Sequence, residues 1–360
     1  MLNFILPFIV LIVVVVFIHE YGHYYFAKRY GVGVTDFSIG FGRELFGWND
    51  KSGTRWKVCW IPLGGYVKFF GDRNVFSQAD QEELLKKYSK EDQHKLFVTK
   101  PLYQRALIVA GGPLANFILA LVIFTFIYMF AGKDFTPAVI DEVLKDSPAE
   151  VAGMQKNDVI IEIDNTKVES ILDVSKLIAM STSEFIDFKV SRYDQEIILK
   201  VKPNFVDSVD ELGNKLKKRM VGIKLSPYNN QITHKKLGPA QALLQSFNEV
   251  YFVTTSSLKY LGSMFTGAGD SSQLGGPIRI AKISGQVAEF GIIPFVSMMA
   301  YISISLGLIN LFPIPLLDGG HLMFYAFEKG FRSSFKSKNT GRFFSNRNVF
   351  VVIFDVFRNI

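Results

Sequence analysis

Residues 2–23 read LNFILPFIVLIVVVVFIHEYGH, an apolar run that leads directly into two histidines and a glutamate. The run from Leu2 to Ile18 carries no charge and is broken only by Asn3 and Pro7. A signal peptide would have a basic residue before the run and small residues at a cleavage site after it. Because residues 1–18 contain no Lys or Arg, the pattern predicts a retained transmembrane helix.

Two further stretches are long enough to cross a bilayer. Residues 106–131 are 26 uncharged residues and residues 290–317 are 28, each about 40 Å long as a helix. The 360-residue chain is 49% hydrophobic and only 20% charged, which is more apolar than a soluble core requires. The sequence therefore predicts an α-helical polytopic membrane protein with three or more transmembrane helices, and it disfavours an ordinary cytosolic enzyme.

Basic residues at the ends of the spans predict the orientation of the chain. The net charge is +7, and in a membrane protein an excess of Lys and Arg marks cytoplasmic loops. Such residues flank the first loop and follow the third span: Lys28, Arg29, Lys100, Arg105, Lys329, Arg332, Lys336 and Lys338. We expect residues 133–289 to lie outside the cytoplasm. We do not expect the protein to bind nucleic acid.

The outer segment divides into a β-rich domain at 137–226 and an amphipathic segment at 227–289. Hydrophobic alternation predicts strands at 158–164, 186–191, 197–201 and 221–225 and a short helix at 174–180. The later segment has apolar residues at helical spacing, which is typical of a helix lying on other protein or on the bilayer surface. The predicted fold is thus a membrane protein with an inserted β-rich domain.

The motif His19-Glu20-Tyr21-Gly22-His23 is H-E-x-x-H at the inner end of the first span. On a helix the two histidines share a face and can bind one Zn²⁺, while the glutamate can serve as general base. The single cysteine, Cys59, excludes an internal disulfide and Cys-rich metal sites. The alternative is a pair of interfacial histidines at a helix end, which the cost of ionisable groups at membrane depth disfavours.

A catalytic zinc needs a third protein ligand. Asp318 follows the third apolar stretch, and a carboxylate there is costly unless it binds a cation. Pro313 and Pro315 must break the helix before it, and Asn310, just before the break, could hydrogen-bond a substrate carbonyl. Asp318 could instead cap a helix, and His321 is the rival third ligand.

These motifs together resemble bacterial site-2 proteases of the RseP (regulator of sigma-E protease) type, which are intramembrane zinc metalloproteases. The similar stretches are the H-E-x-x-H motif, Asn-x-x-Pro-x-Pro-x-x-Asp-Gly-Gly at 310–320, and the segments at 40–42, 61–68, 112–116 and 275–278. The resemblance implies that His19, His23 and Asp318 bind zinc, that Glu20 is the base, and that Asn310 contacts the substrate or transition state.

The resemblance also implies a membrane-dipping β-hairpin around residues 61–69 whose edge pairs with an unwound substrate helix. Gly64, Gly65, Tyr66 and Pro315 are then further substrate contacts. Trp56–Trp60 and Tyr66–Phe70 are strand-like, with Gly64-Gly65 able to turn between them. An interfacial aromatic anchor explains Trp56, Trp60 and Tyr66 equally well.

The outer domain resembles a PDZ domain in residues 147–161. The resemblance implies a multi-pass protein of the bacterial inner membrane with this domain in the periplasm. Its partners would be the lipid bilayer and single-span membrane proteins, cleaved in regulated intramembrane proteolysis; anti-sigma factors and remnant signal peptides are the substrate classes of the family. The alternative is a non-catalytic membrane PDZ adaptor or a truncated, inactive protease.

The predicted domain order is a first membrane segment at 1–136, the PDZ-like domain at 137–226, the amphipathic segment at 227–289, the third span and its motif at 290–330, and an atypical basic tail at 331–360. The family ordinarily ends with a fourth span, and the longest apolar run of the tail, Val349–Phe354, is too short to cross a bilayer.

Overall fold

The computed structural model describes residues 2–72, 81–209, 215–227, 232–265 and 276–330. The predicted basic tail at 331–360 lies outside the described residues. Three helices in the described part are long and apolar enough to cross a membrane, namely Phe4–Arg29, Leu102–Ala131 and Ile292–Asn310. These three candidate spans agree with the number predicted from the sequence.

The helices are α1 (Leu2–Arg29), α2 (Gln81–Lys87), α3 (Lys90–Gln93), α4 (Leu102–Phe126, continued by a π-helical turn at Ile127–Ala131), α5 (Pro148–Val151), α6 (Ile171–Met180), α7 (Pro239–Phe265), α8 (Pro277–Glu289), α9 (Ile292–Asn310) and α10 (Asp318–Gly330). The strands are β1 (Val34–Asn49), β2 (Arg55–Phe69), β3 (Lys133–Asp134), β4 (Ala138–Val143), β5 (Val159–Ile163), β6 (Thr166–Lys167), β7 (Ile186–Arg192), β8 (Gln195–Val201), β9 (Asn204–Val209), β10 (Lys215–Met220), β11 (Ile223–Pro227) and β12 (His234–Lys235).

The described residues form two compact units, of which the first comprises the described parts of 1–120 and 281–330. In this unit α1 packs against β1, β2 and α9. The side chain of Phe37 on β1 is fully buried, and its ring stacks on Trp56 at 4.1 Å between centroids and meets the edge of Tyr24 at 5.7 Å. Burial of these large rings fixes the sheet against the C-terminal half of α1, where the H-E-x-x-H motif lies.

The two long strands of this unit form a folded sheet. Phe37 pairs with Val67 and also with Trp56, so β2 turns back near Gly64 and flanks the first part of β1 on both sides. The tight turn between β1 and β2 lies at Asp50–Thr54, where backbone hydrogen bonds join these residues. The segment Gly65–Phe69 pairs only with β1 among the described strands, so its other edge has no partner strand there, and the N–H of Phe69 donates instead to Oδ2 of Asp72 at 3.2 Å.

The third span ends where the two prolines predict it. Helix α9 ends at Asn310, and a short irregular loop leads to α10, which begins with Asp318. The loop is held by backbone hydrogen bonds, including that from the N–H of Leu317 to the carbonyl of Ile314 at 3.1 Å. The last seven residues of the apolar stretch at 290–317 are therefore loop and not helix.

The second unit comprises Leu121–Ile280 and contains a six-stranded sheet. The strand order is β11-β4-β5-β7-β8, with β6 paired to β5. Strands β5, β7, β8 and β11 and helix α6 fall where alternation predicts them, within two to three residues at each end. Their inward side chains, among them Ile140, Phe188 and Val190, form one core, as the period-two pattern requires.

Helix α7, with 27 residues, lies within the predicted amphipathic segment at 227–289. Its buried face includes Ala242, Ser246, Val250 and Val253, and the Ser246 hydroxyl accepts a hydrogen bond from Thr125 at 3.0 Å. Its other face exposes apolar side chains, including Leu244, Phe247, Tyr251 and Leu258.

Candidate metal centre

The two histidines of the motif lie where α1 crosses α4. His19 and His23 are one helical turn apart on α1, and both rings face the start of the second span. A Cβ built on Gly112 of α4 would overlap the Nε2 atom of His23 and crowd His19. A glycine is therefore required at this point, because a larger residue would displace both imidazoles.

The third member of the cluster comes from the loop after the third span. Asp318 is the first residue of α10, and a Cβ on the neighbouring Gly319 would overlap the carbonyl of Leu311. The Asp-Gly-Gly sequence thus lets α10 begin directly against the loop, which brings the Asp318 carboxylate to the two histidines.

The three side chains converge to a small triangle of ligand atoms. The Nε2 atoms of His19 and His23 are 3.2 Å apart, and they lie 3.3 Å and 3.5 Å from the Oδ2 atom of Asp318. Four-coordinate zinc with bonds of about 2.0–2.1 Å sets neighbouring ligands about 3.3 Å apart. The spacing of the cluster fits this geometry.

The chemistry of these atoms also fits a cation. Asp318 Oδ2 is buried and makes no hydrogen bond within the described residues, and a buried carboxylate without a partner is costly. The Nδ1 atom of His23 lies 2.9 Å from the carbonyl oxygen of Ile108. A carbonyl can only accept, so Nδ1 carries the hydrogen and Nε2 presents its lone pair to the cluster.

Glu20 lies between the two histidines in sequence and beside the folded sheet in space. A Cβ on Gly65 of β2 would be only 3.0 Å from the Cγ atom of Glu20. The free edge of the sheet therefore runs next to the carboxylate that would act as base.

The other predicted site residues belong to the same unit. Asn310 is the last residue of α9 and Pro315 lies in the loop before Asp318. Gly64, Gly65 and Tyr66 lie in β2, where the Tyr66 ring stacks on Phe41 at 6.1 Å. His321 is outside the group of three candidate ligands that the described residues form, so the geometry favours Asp318 over His321.

Asn116 also touches the cluster, although no role is predicted for it from the sequence. Its side chain is fully buried on α4, and its Nδ2 atom lies 3.2 Å from Nδ1 of His19. A signal was available, because an amide in the middle of an uncharged span is costly and indicates function. Ile108 gave no such signal, since it acts through its backbone.

Membrane-spanning helices that carry this cluster define a class of protein, the metallopeptidases embedded in membranes. Comparison with known proteins then gives the family. The model of peptidase family M50 matches residues 7–354, and the chain belongs to this family, the site-2 proteases.

Individual relatives agree with this assignment. A protein of Agrobacterium fabrum that is named as a zinc metalloprotease is 40% identical over 326 residues, which cover 91% of this chain and 86% of the relative. A Rhizobium meliloti protein named in the same way is 40% identical over 89% of this chain and 86% of its own length. Metalloprotease MmpA of Caulobacter vibrioides is 35% identical over 88% and 84%. The predicted zinc metalloprotease of the site-2 type is confirmed.

Proposed function

We propose that this zinc metalloprotease cleaves the transmembrane segments of single-span membrane proteins within the bilayer. The observation that carries the proposal is the position of the cluster, because His19 and His23 belong to a helix long and apolar enough to span a membrane. A peptide bond must reach that depth to be cut.

The residues take the following roles in this proposal. His19, His23 and Asp318 hold the zinc ion, which when bound acts as a Lewis acid toward water and the scissile carbonyl. Glu20 accepts the proton of the attacking water and returns it to the leaving amine. Asn310 donates a hydrogen bond to the substrate carbonyl as negative charge develops on its oxygen.

The substrate helix must unwind before it can be cut, and its backbone groups then need partners in an apolar environment. The free edge of β2 at Gly65–Phe69 offers them by strand addition, next to Glu20. Gly64, Gly65, Tyr66 and Pro315 would line this path. The exposed apolar side chains of the two strands, Leu45, Phe46, Trp48, Trp60, Ile61 and Leu63, are consistent with a sheet that dips into the bilayer.

We further propose that the protein works in regulated intramembrane proteolysis in the bacterial inner membrane, with anti-sigma factors and remnant signal peptides as substrate classes. The PDZ-like domain at 137–226 would lie in the periplasm. The basic residues beside the first loop support this orientation, because Lys and Arg are enriched in cytoplasmic loops. Labelling with an impermeant thiol reagent in intact spheroplasts tests the orientation: a cysteine at exposed Ser183 should react and one at exposed Lys51 should not. Native Cys59 is buried and gives little background. The reverse pattern would overturn the orientation.

The function is tested by comparing the purified chain with its Glu20→Gln form on a model single-span substrate. The amide keeps the shape of the side chain but cannot accept a proton, so cleavage should fall about 10²- to 10⁴-fold while zinc content stays near one per chain. Glu91→Gln, the same change at an exposed residue of α3, should cut normally. Mass spectrometry of the products should place the cut inside the apolar segment. Equal cleavage by wild type and Glu20→Gln would refute the assignment.

A further inference from the structure

The two histidines of the cluster differ in what holds their second ring nitrogen. For His23 the partner is the backbone carbonyl of Ile108, which cannot rotate and leaves only one tautomer. For His19 the partner is the side-chain amide of Asn116, with 3.2 Å between Asn116 Nδ2 and His19 Nδ1. Since an amide presents a donor on one side and an acceptor on the other, its orientation decides which nitrogen of His19 carries the hydrogen.

With the nitrogen of the amide facing the ring, two groups are left poorly placed. Nδ1 of His19 would have to accept, so its hydrogen would lie on Nε2, the atom that faces His23 and Asp318. The Oδ1 atom of Asn116 is also buried without a hydrogen bond in the described part of the chain, which costs free energy. Rotation of the amide by half a turn removes both problems, because Oδ1 then accepts from Nδ1–H.

We propose that Asn116 is a positioning residue for the metal centre, whose Oδ1 atom accepts a hydrogen bond from Nδ1 of His19 and so fixes Nε2 as the ligand. This inference rests on the zinc site in the proposed function. Asn116 does for His19 what the carbonyl of Ile108 does for His23, and the second span thereby orients both imidazoles of the first.

The position of Asn116 is itself held by the third span. The hydroxyl of Ser303 on α9 donates to the backbone carbonyl of Asn116 at 2.9 Å, and both residues are fully buried. A Cβ on Gly307, one turn further along α9, would lie 3.3 Å from Cβ of Asn116. Asn116 therefore lies where α4 and α9 pack closely together, and this packing limits movement of its amide away from His19.

The test is the zinc affinity of the full-length chain, measured by competition with a chromophoric chelator, together with the absorption spectrum of the Co²⁺-loaded protein. Asn116→Leu keeps roughly the same size but cannot accept a hydrogen bond. Loss of such a partner typically lowers metal affinity about 10- to 100-fold, and the Co²⁺ bands should shift. Asn116→Asp retains an oxygen acceptor and should keep zinc affinity within a few-fold of wild type.

A matched control separates positioning from packing. Ser303→Ala removes a buried hydrogen bond to the same residue but leaves its amide in place, so it should lower the melting temperature without changing zinc affinity or the Co²⁺ spectrum. Wild-type affinity in Asn116→Leu would overturn the proposal, as would an equal loss of affinity in all three variants. If Asn116→Leu does not fold, Asn116→Asp decides alone. A carboxylate has no N–H to donate, so retained zinc supports His19 as the donor and lost zinc refutes it.

The outcome does not depend on proteolysis. A wild-type chain that binds zinc and cuts no membrane substrate would contradict the proposed function, and the affinities of the variants would still decide the role of Asn116. A wild-type chain that binds no zinc would overturn both.

Discussion

The two units differ in how their buried carboxylates are hydrogen-bonded. In the second unit Asp158 is fully buried, and both of its oxygens receive hydrogen bonds from Arg192, at 2.7 and 2.8 Å. In the first unit the Oδ2 atom of Asp318 is buried among two imidazole nitrogens and makes no hydrogen bond within the described residues. A buried carboxylate whose oxygens are hydrogen-bonded by its neighbours is satisfied by the protein itself, whereas a buried oxygen without a hydrogen bond can be satisfied by a cation.

The same contrast holds for other polar residues of the two units. Near α6, Lys176 pairs with Glu249 at 2.5 Å and lies over the ring of Phe252. Near the H-E-x-x-H motif, the Nε2 atoms of His19 and His23 instead converge on one point with Asp318, and Asn116 lies against the other ring nitrogen of His19. The comparison predicts that the chemistry belongs to the first unit and that the second contributes binding or access.

The largest effect is expected at the ligands. His19→Ala, His23→Ala or Asp318→Ala should each lower zinc content well below one per chain and abolish cleavage, because the two remaining ligands are one fewer than a catalytic zinc needs. Metal analysis of the purified variants checks this. His321→Ala should retain zinc.

A buried carboxylate of the second unit supplies the control. Asp158→Ala removes a fully buried carboxylate that accepts hydrogen bonds from Arg192 and from the backbone N–H of Gln155, so it should lower the stability of the fold, with zinc content unchanged in the folded fraction. Zinc loss in His321→Ala but not in Asp318→Ala would show that His321 and not Asp318 is the third ligand. Zinc loss in Asp158→Ala would contradict the assignment of the metal site to the first unit alone.

A smaller effect is expected when the β-rich segment at 137–226 is removed. Residues 137–226 contain no histidine, so we propose that they restrict access and take no part in the chemistry. Deletion should preserve zinc content and cleavage of a short, pre-trimmed substrate, while bulkier, untrimmed substrates become cleavable. The two forms of one substrate are compared by product yield. If the inserted, zinc-loaded deletion protein cuts neither form, the domain has a structural role and gating is refuted.

Features that depend on residues close together in the sequence could be predicted, and features that depend on distant residues could not. The uncharged runs, the helical spacing of His19 and His23 and the proline break before Asp318 are local patterns. They predict the spans, two of the ligands and a choice between Asp318 and His321 for the third. The strands β7 and β8 follow from alternation in the same way. The fold-back of β2 onto both sides of β1 depends on long-range pairing that alternation does not encode. Asn116 lies 97 positions from His19, so its contact required the crossing of two helices to be known.

The smallest predicted effect concerns the turn that joins the folded sheet to α1. The Asp50 carboxylate accepts hydrogen bonds from Tyr24 of α1 and Trp56 of β2 and from Ser52 and Thr54 in the turn. Burial alone would raise its pKa, but these donors hold the pKa of Asp50 well below its usual range. The folded protein thus binds fewer protons here than the unfolded chain, and the carboxylate stabilises the fold above the unfolded pKa of about 3.9.

Asp50→Asn should therefore lower the free energy of unfolding at pH 7 by about 1–3 kcal/mol, because the amide nitrogen cannot accept the hydrogen bonds that reach Oδ2. The difference between the two proteins should shrink as the pH falls below about 4, where the unfolded carboxyl takes up its proton. Denaturant unfolding in detergent micelles at pH 7 and pH 3 measures both values. Tyr24→Phe removes only one donor to Oδ2 and should cost less at pH 7, with zinc content intact. A difference between wild type and Asp50→Asn that stays constant from pH 7 to pH 3 would show that the charge of Asp50 contributes nothing to the attachment of the sheet.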